Sequence, residues 1–178
     1  YLSEHESSLK VFVGSKSPEE GDAVTGAHVS ALFSLLKRVF RIVVVDTSPV
    51  FADPQIAALE GADKILMICT LELSSLRDAT ECKRVLSDVL HIPSERVSYV
   101  LNNPFPFKPL SMDQFVEHLE ESIDAEIPYG NDLPAKASVG GHAFVQTQAN
   151  APISRGIMAL AKTLETEAFP QAQQERKS

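Results

Sequence analysis

Arg41-Ile42-Val43-Val44-Val45-Asp46-Thr47-Ser48-Pro49 is the stretch that decides how this chain is read. Four consecutive β-branched residues end on an aspartate and then a turn. An unbroken Val/Ile run suits a strand buried on both faces of a parallel sheet. The carboxyl ends of such strands open onto a ligand crevice. Asp46 at that end is placed to hold a metal ion, or the water of a metal–phosphate complex.

The rest of the chain alternates strand and helix signals outward from this run. Lys10–Val13 is a short strand and Lys64–Thr70 a second buried one. Val97–Leu101 is a third, ending on Asn102-Asn103, and Ala125–Ile127 is a short strand stopped by Pro128. Thr25 caps a helix to Val39, with Val29, Leu32, Phe33, Leu36 and Phe40 on one face. Asp53-Pro54 reads as an N-cap with Pro in first position, for a helix ending near Gly61. Ser75-x-x-Asp78 resembles a capping box opening a helix through Val89. Further helices are expected over Ser111–Leu119 and Ile153–Phe169, with at most a short one at Pro134–Val139. The inward residues of the last helix are read as Ile157, Leu160, Ala161 and Leu164. This alternation predicts an α/β fold: a doubly wound, mainly parallel sheet with helices on both faces. Residues 1–9 read as disordered or linker, 10–169 as one domain, and 170–178 as a polar tail.

Composition removes several function classes. The chain has 178 residues, 44% apolar and 22% charged, with a net charge of -8. That acidity argues against direct nucleic-acid binding, which needs a basic face. No apolar run is long enough for an integral membrane segment, and no signal peptide opens the chain. The two cysteines, Cys69 and Cys82, read as reduced, mostly buried thiols of a cytoplasmic protein. The five histidines have no metal-ligand spacing with each other or with the cysteines. The chain begins at Tyr1 and its first methionine is Met67, so it is expected to be a piece of something longer or a processed chain.

Asp46, Thr70 and Asn102 each close an expected strand, and in a parallel sheet all three reach one rim. The plain alternative is that loops after strands are polar anyway. An acid abutting buried aliphatics would be costly without a partner, which favours a functional reading of Asp46. Gly14-Ser15-Lys16-Ser17 superficially resembles a phosphate loop but lacks the G-x-x-x-x-G-K-[ST] spacing, and a surface loop is preferred. Pro104-Phe105-Pro106-Phe107, continuing to Pro109, is a stiff aromatic loop that packs over the rim or meets a partner.

Together these motifs resemble the ParA/MinD group of deviant-Walker P-loop ATPases, in particular its CpaE/TadZ branch, associated with placing Flp-type pilus machinery. Ile42–Asp46 looks like the Walker B strand. Leu59-x-x-Ala62-Asp63 and the strand to Thr70 look like the family's L-x-x-A-D step. Thr70-x-Glu72 and Ser75-Leu76-Arg77-Asp78-Ala79 look like its following loop and helix. Val100-Leu101-Asn102-Asn103 falls where the family has Val-Asn-Arg, and Ile127-Pro128-Tyr129 resembles the Ile-Pro segment beside adenine. Gly141 and the Ile157–Leu164 helix fit as well, so the similarity covers nearly all of residues 10–165.

The resemblance implies the C-terminal two-thirds of a nucleotide-binding domain of the SIMIBI type, its phosphate loop expected before Tyr1. In the whole protein, Asp46 would hold Mg²⁺ through water and serve catalysis. Asn102, Asn103, Pro128, Tyr129, Asp132 and Thr70 would bind ATP. The implied setting is a cytoplasmic homodimer recruited to the inner membrane or cell pole, serving pilus, secretion or polar-localisation proteins. Three departures mark the chain. Thr47-Ser48-Pro49-Val50 has no glycine, Asn103 stands for the usual arginine, and Gly130-Asn131-Asp132 alters the usual Ile-Pro-x-Asp. The chain by itself is therefore expected not to hydrolyse ATP and to bind no cofactor, and its open sheet edge is expected to drive self-association. The other reading is a degenerate, non-catalytic localisation or docking module of the same fold.

Overall fold

A computed structural model describes residues 2–5, 7–14 and 17–169, with Pro18 placed by its backbone alone. The expected tail at 170–178 and the Ser15-Lys16 pair of the phosphate-loop-like run lie outside the described residues. The chain divides into two compact units, one up to Asp63 and one from Lys64 onward.

The first unit begins with strands β1 (Leu2–Glu4) and β2 (Lys10–Phe12), paired antiparallel. Glu4 and Lys10 sit opposite each other and form an ion pair. Where the sequence suggested a disordered lead over 1–9, local cross-strand pairing therefore orders Leu2–Glu4. Helices α1 (Pro18–Asp22), α2 (Gly26–Val39) and α3 (Asp53–Gly61) follow. Thr25 caps α2 as expected, its hydroxyl accepting from the His28 amide.

Asp53, expected to cap its own helix, caps its neighbour instead. Ala52 holds the N-cap position of α3, and the Asp53 carboxylate accepts from the Gly26 amide at 2.5 Å, at the start of α2. At the other end Lys37 donates to the Gly61 carbonyl at 2.9 Å and pairs with Asp63 at 3.0 Å. The starts of α2 and α3 meet, and so do their ends, so the two helices run in the same direction. Their connection must therefore travel back along the length of α2, about 20 Å for fourteen residues.

Ile42–Val45 lies in that return segment. The sequence predicts a central strand here, and the structure corrects this: the run joins no strand ladder among the described residues. Val44 is 89% exposed and Asp46 is exposed as well. β-propensity reports a fit to a half-buried pleated surface, and it produces a strand only where a neighbouring backbone supplies the ladder.

The second unit holds the parallel sheet. Strand β3 (Ile65–Cys69) leads into α4 (Leu73–Arg84), which continues as a π-helical turn over Val85–Val89. A 3₁₀ turn (Ser94–Arg96) precedes β4 (Val97–Asn102), followed by α5 (Met112–Leu119) and β5 (Ala125–Ile127). Helices α6 (Leu133–Gly140), α7 (Phe144–Thr147) and α8 (Pro152–Ala168) complete it. The order is β3-β4-β5, all parallel. Ser75 does not cap α4, whose N-cap is Glu72; its hydroxyl instead accepts from the Thr70 amide at 2.9 Å, closing the strand-to-helix turn.

Strand alternation splits the core between two faces. Cys69, Tyr99 and Leu101 pack with Leu76 and Ala79 of α4 and Phe115 and Leu119 of α5. On the other face Val100 and Ile127 pack with Ile153, Ile157 and Leu160 of α8 and with Leu133 and Phe144. The expected doubly wound α/β layering is thus present. Ala161 departs from expectation: it is exposed, because Ile153, Ile157 and Leu160 define the inward stripe of α8. Burial pushes the Cys69 thiol up to about 11 and the Tyr99 hydroxyl up to about 12, so neither is a nucleophile at neutral pH. Among the described residues, no helix is long and apolar enough to cross a membrane.

Gly156 lets α8 lie directly on β5. A Cβ there would stand 2.7 Å from Pro128 Cδ and 3.2 Å from the Glu126 carbonyl oxygen. A proline ring and a strand carbonyl cannot swing aside. Gly156→Ala gains up to about 1 kcal/mol of helix propensity, but the overpacking costs about 1–3 kcal/mol. The expected outcome is net destabilisation, read as a lower midpoint in denaturant unfolding.

Candidate functional site

Parallel register brings the strand ends to one rim. Cys69 lies opposite Leu101, Leu101 opposite Glu126, and Asn102 opposite Ile127. The residues that follow, Thr70, Asn103 and Pro128, therefore line the carboxyl edge of the sheet. This is where an open α/β sheet receives a ligand. The expectation that Thr70 and Asn102 share a rim rests on this register. Asp46 belongs to the first unit, exposed within its return segment.

The two adjacent asparagines have different surroundings. Asn102 is the last ladder residue of β4 and is half-buried. Its carboxamide has no hydrogen-bond partner among the described residues. Asn103 is 7% exposed and donates through both its backbone and its side-chain amide. Its backbone amide donates to the Ile127 carbonyl at 3.0 Å. Its side-chain amide donates to the Glu126 carboxylate at 2.7 Å and to the Ile127 carbonyl at 3.3 Å. Asn103 thus ties the end of β4 to the end of β5.

Glu126 receives a second donor, the Lys108 ammonium, at 3.0 Å. That hydrogen bond, followed by the one from Asn103, holds the Glu126 carboxyl below its ordinary range despite partial burial. Lys108 lies at the far end of the Pro-Phe loop, and Leu110 closes the loop by donating its amide to the Leu71 carbonyl at 3.1 Å. Local sequence patterns report neighbours three or four residues apart, so a Lys–Glu pair eighteen positions apart gave no signal.

Thr70 donates its hydroxyl to the Glu72 carboxylate at 2.8 Å, which orients it within the turn after β3. Pro128 packs against α8 through Gly156. Tyr129 is half-buried in the turn that follows. Gly130 is held close to α8, where an added Cβ would stand 2.6 Å from Ile153 Cδ1. Asn131 takes a left-handed conformation, φ 52°, which asparagine tolerates. Asp132 is exposed and pairs with Lys136 one turn on, which lowers its carboxyl from the usual value. Helices α6 and α7 line an open, largely apolar cleft of about 220 Å³.

Among the described residues, no group of three His, Cys, Asp or Glu side chains gathers to hold a metal ion. A magnesium ion does not need such a cage. It takes one or two carboxylates and completes its shell with water and substrate phosphates. A single carboxylate of the Asp46 kind fits that mode of binding and no tighter one.

No protein-family profile and no curated protein matches the chain. Solved structures do. A ParA family ATPase from Chlorobium tepidum TLS superposes with a TM-score of 0.82 at 19% identity, over 90% of this chain and 66% of that one. The MinD cell division protein of Aquifex aeolicus gives 0.72 at 18% identity, over 92% and 68%. The septum site-determining protein MinD of Pyrococcus horikoshii OT3, complexed with Mg-ADP, gives 0.72 at 14%, over 87% and 63%. The chain has the fold of these ATPases and spans about two thirds of their length.

Two outcomes test the rim. A depressed carboxyl contributes stability above its ordinary range and loses it as pH falls through the lowered value. The Asn103 side-chain amide signals should therefore stay constant from neutral pH down past the ordinary glutamate range, and collapse only under stronger acid, in a pH-resolved NMR titration. Asn103→Ala should cost about 1.5–3 kcal/mol in chemical denaturation, the worth of a hydrogen bond to a charged group, with Glu126 left to Lys108 and solvent.

Proposed function

We propose that this chain is part of a MinD/ParA-like ATP-binding ATPase that positions structures within the cell, with pilus or secretion machinery, or polar-localisation proteins, as its clients. The observation that carries the reading is the parallel rim with Asn102 unpaired beside the Pro128–Asp132 turn, on a fold that superposes at a TM-score of 0.82 on a ParA family ATPase. In the whole protein Asn102 and the Pro128 turn seat the adenine of ATP. Thr70 borders the site, and Asn103 positions the rim rather than touching the base. Tyr129 and Asp132 flank the same turn. Asp46 would hold Mg²⁺, and the Mg²⁺–nucleotide would supply the phosphoryl chemistry when bound. The protein works as a homodimer in the cytoplasm, recruited to the inner membrane or a cell pole.

A second reading keeps the fold as a non-catalytic docking module. It is favoured by one specific observation, the commitment of the Asn103 side chain to Glu126 and Ile127.

This chain by itself should not turn over ATP. On a protein of net charge -8, triphosphate needs a cradle of backbone amides that the rim residues do not offer. Phosphate release should stay at background, and Asp46→Ala should leave it there. Turnover abolished by that substitution would overturn the expectation. An NMR titration of the whole protein with Mg²⁺–ATP separates the two readings. Shifts at Asn102 and residues 128–132 support nucleotide binding, and an unperturbed rim leaves the docking module.

A further inference from the structure

The Pro-Phe loop carries two side chains that the rim has not used. The Phe105 and Phe107 rings stack on each other, centroids 5.6 Å apart and planes 15° from parallel. They are 43% and 64% exposed. Apolar rings left in water forgo the stabilisation that burial gives Phe115 in the core. The loop also holds them firmly. Pro104, Pro106 and Pro109 each fix φ. Asn103 and Lys108 fasten one side to Ile127 and Glu126, and Leu110 fastens the other to Leu71. The cost of ordering such a surface is met before any ligand arrives.

The chemistry around the rings narrows what they receive. The one cation on the loop, Lys108, is engaged with Glu126. The net charge of -8 disfavours a nucleic-acid strand, whose many phosphates need a basic face. A planar, largely uncharged π-face meets neither obstacle. The loop leaves the sheet directly after Asn102 and returns to Leu71, next to Thr70, so both ends of the loop that carries the rings are anchored at the rim. We infer that Phe105 and Phe107 form an aromatic platform that stacks the purine base of a nucleotide bound at this rim. The inference rests on the nucleotide-binding reading and adds to it a specificity element outside the strand-end residues.

The test uses the whole protein to which this chain is proposed to belong and two probes, AMP and ribose 5-phosphate, followed by NMR of the aromatic and backbone signals. AMP should shift the ring signals of both phenylalanines, and ribose 5-phosphate should leave them in place. Phe105→Ala and Phe107→Ala should each weaken AMP about tenfold, the size of one lost base stack, while Phe107→Tyr retains affinity. Both positions are exposed, so unchanged amide spectra elsewhere would verify the fold of each variant. If AMP shifts the Asn102 amide while the rings and the variants' affinities stay unchanged, the platform is overturned and the nucleotide reading stands; the loop is then a protein-docking knob. If AMP shifts nothing, the nucleotide reading falls and the platform with it.

Discussion

The burial of β4 is the constraint on which the sheet-bearing unit depends. Val100 and Leu101 are adjacent and both fully buried. Successive strand residues point to opposite faces, so both faces of the sheet must be covered. That demand explains why α4 and α5 lie on one side and α8 on the other. Parallel neighbours then follow from the helical crossovers, and parallel pairing sets every strand's carboxyl end on one edge. The rim is thus a consequence of how the core is buried. A polar residue placed one step beyond β3, β4 or β5 is delivered to it.

Most of this layering was legible in the sequence, because it is written in local signals. The runs behind β3 and β4 are apolar and continuous, Pro128 stops β5, and Thr25 and Ser111 cap their helices through hydroxyls three residues back. What was not legible depends on partners distant in the chain. Ile42–Val45 has the same composition as a buried strand, yet its backbone meets no ladder among the described residues. Asp53 looks like a local cap, but its carboxylate serves a helix that begins twenty-seven residues earlier. The Lys108–Glu126–Asn103 tie joins a loop, a strand and a strand end, and no periodicity announces it.

The asparagine pair shows how a site separates support from contact. Alternation at the end of β4 turns Asn103 inward, where its amide takes up the Glu126 carboxylate and the last carbonyl of β5. A buried amide left unpaired would be costly, so these bonds fix one arrangement of the two strand ends. Asn102, one residue earlier, is freed by that same alternation and keeps its hydrogen-bonding capacity for the rim. The Asn-Asn sequence alone could not say which residue does which, since both side chains have the same donors and acceptors. Register decides it.

The fold is shared with ParA and MinD proteins at 14–19% identity because burial pattern and parallel register tolerate wide substitution. Site chemistry tolerates much less, and it is under separate control. Nothing in the packing of β4 requires that Asn102 keep its carboxamide unpaired, that Asp46 stand exposed in its return segment, or that Phe105 and Phe107 stand exposed. Those features add no stability to the core, and the exposed rings and the acid of the return segment forgo some. A residue that folding does not need, held in place by contacts such as Lys108–Glu126 that folding alone would not select, is where function is argued most strongly. On this chain that argument converges on the edge formed by the ends of β3, β4 and β5.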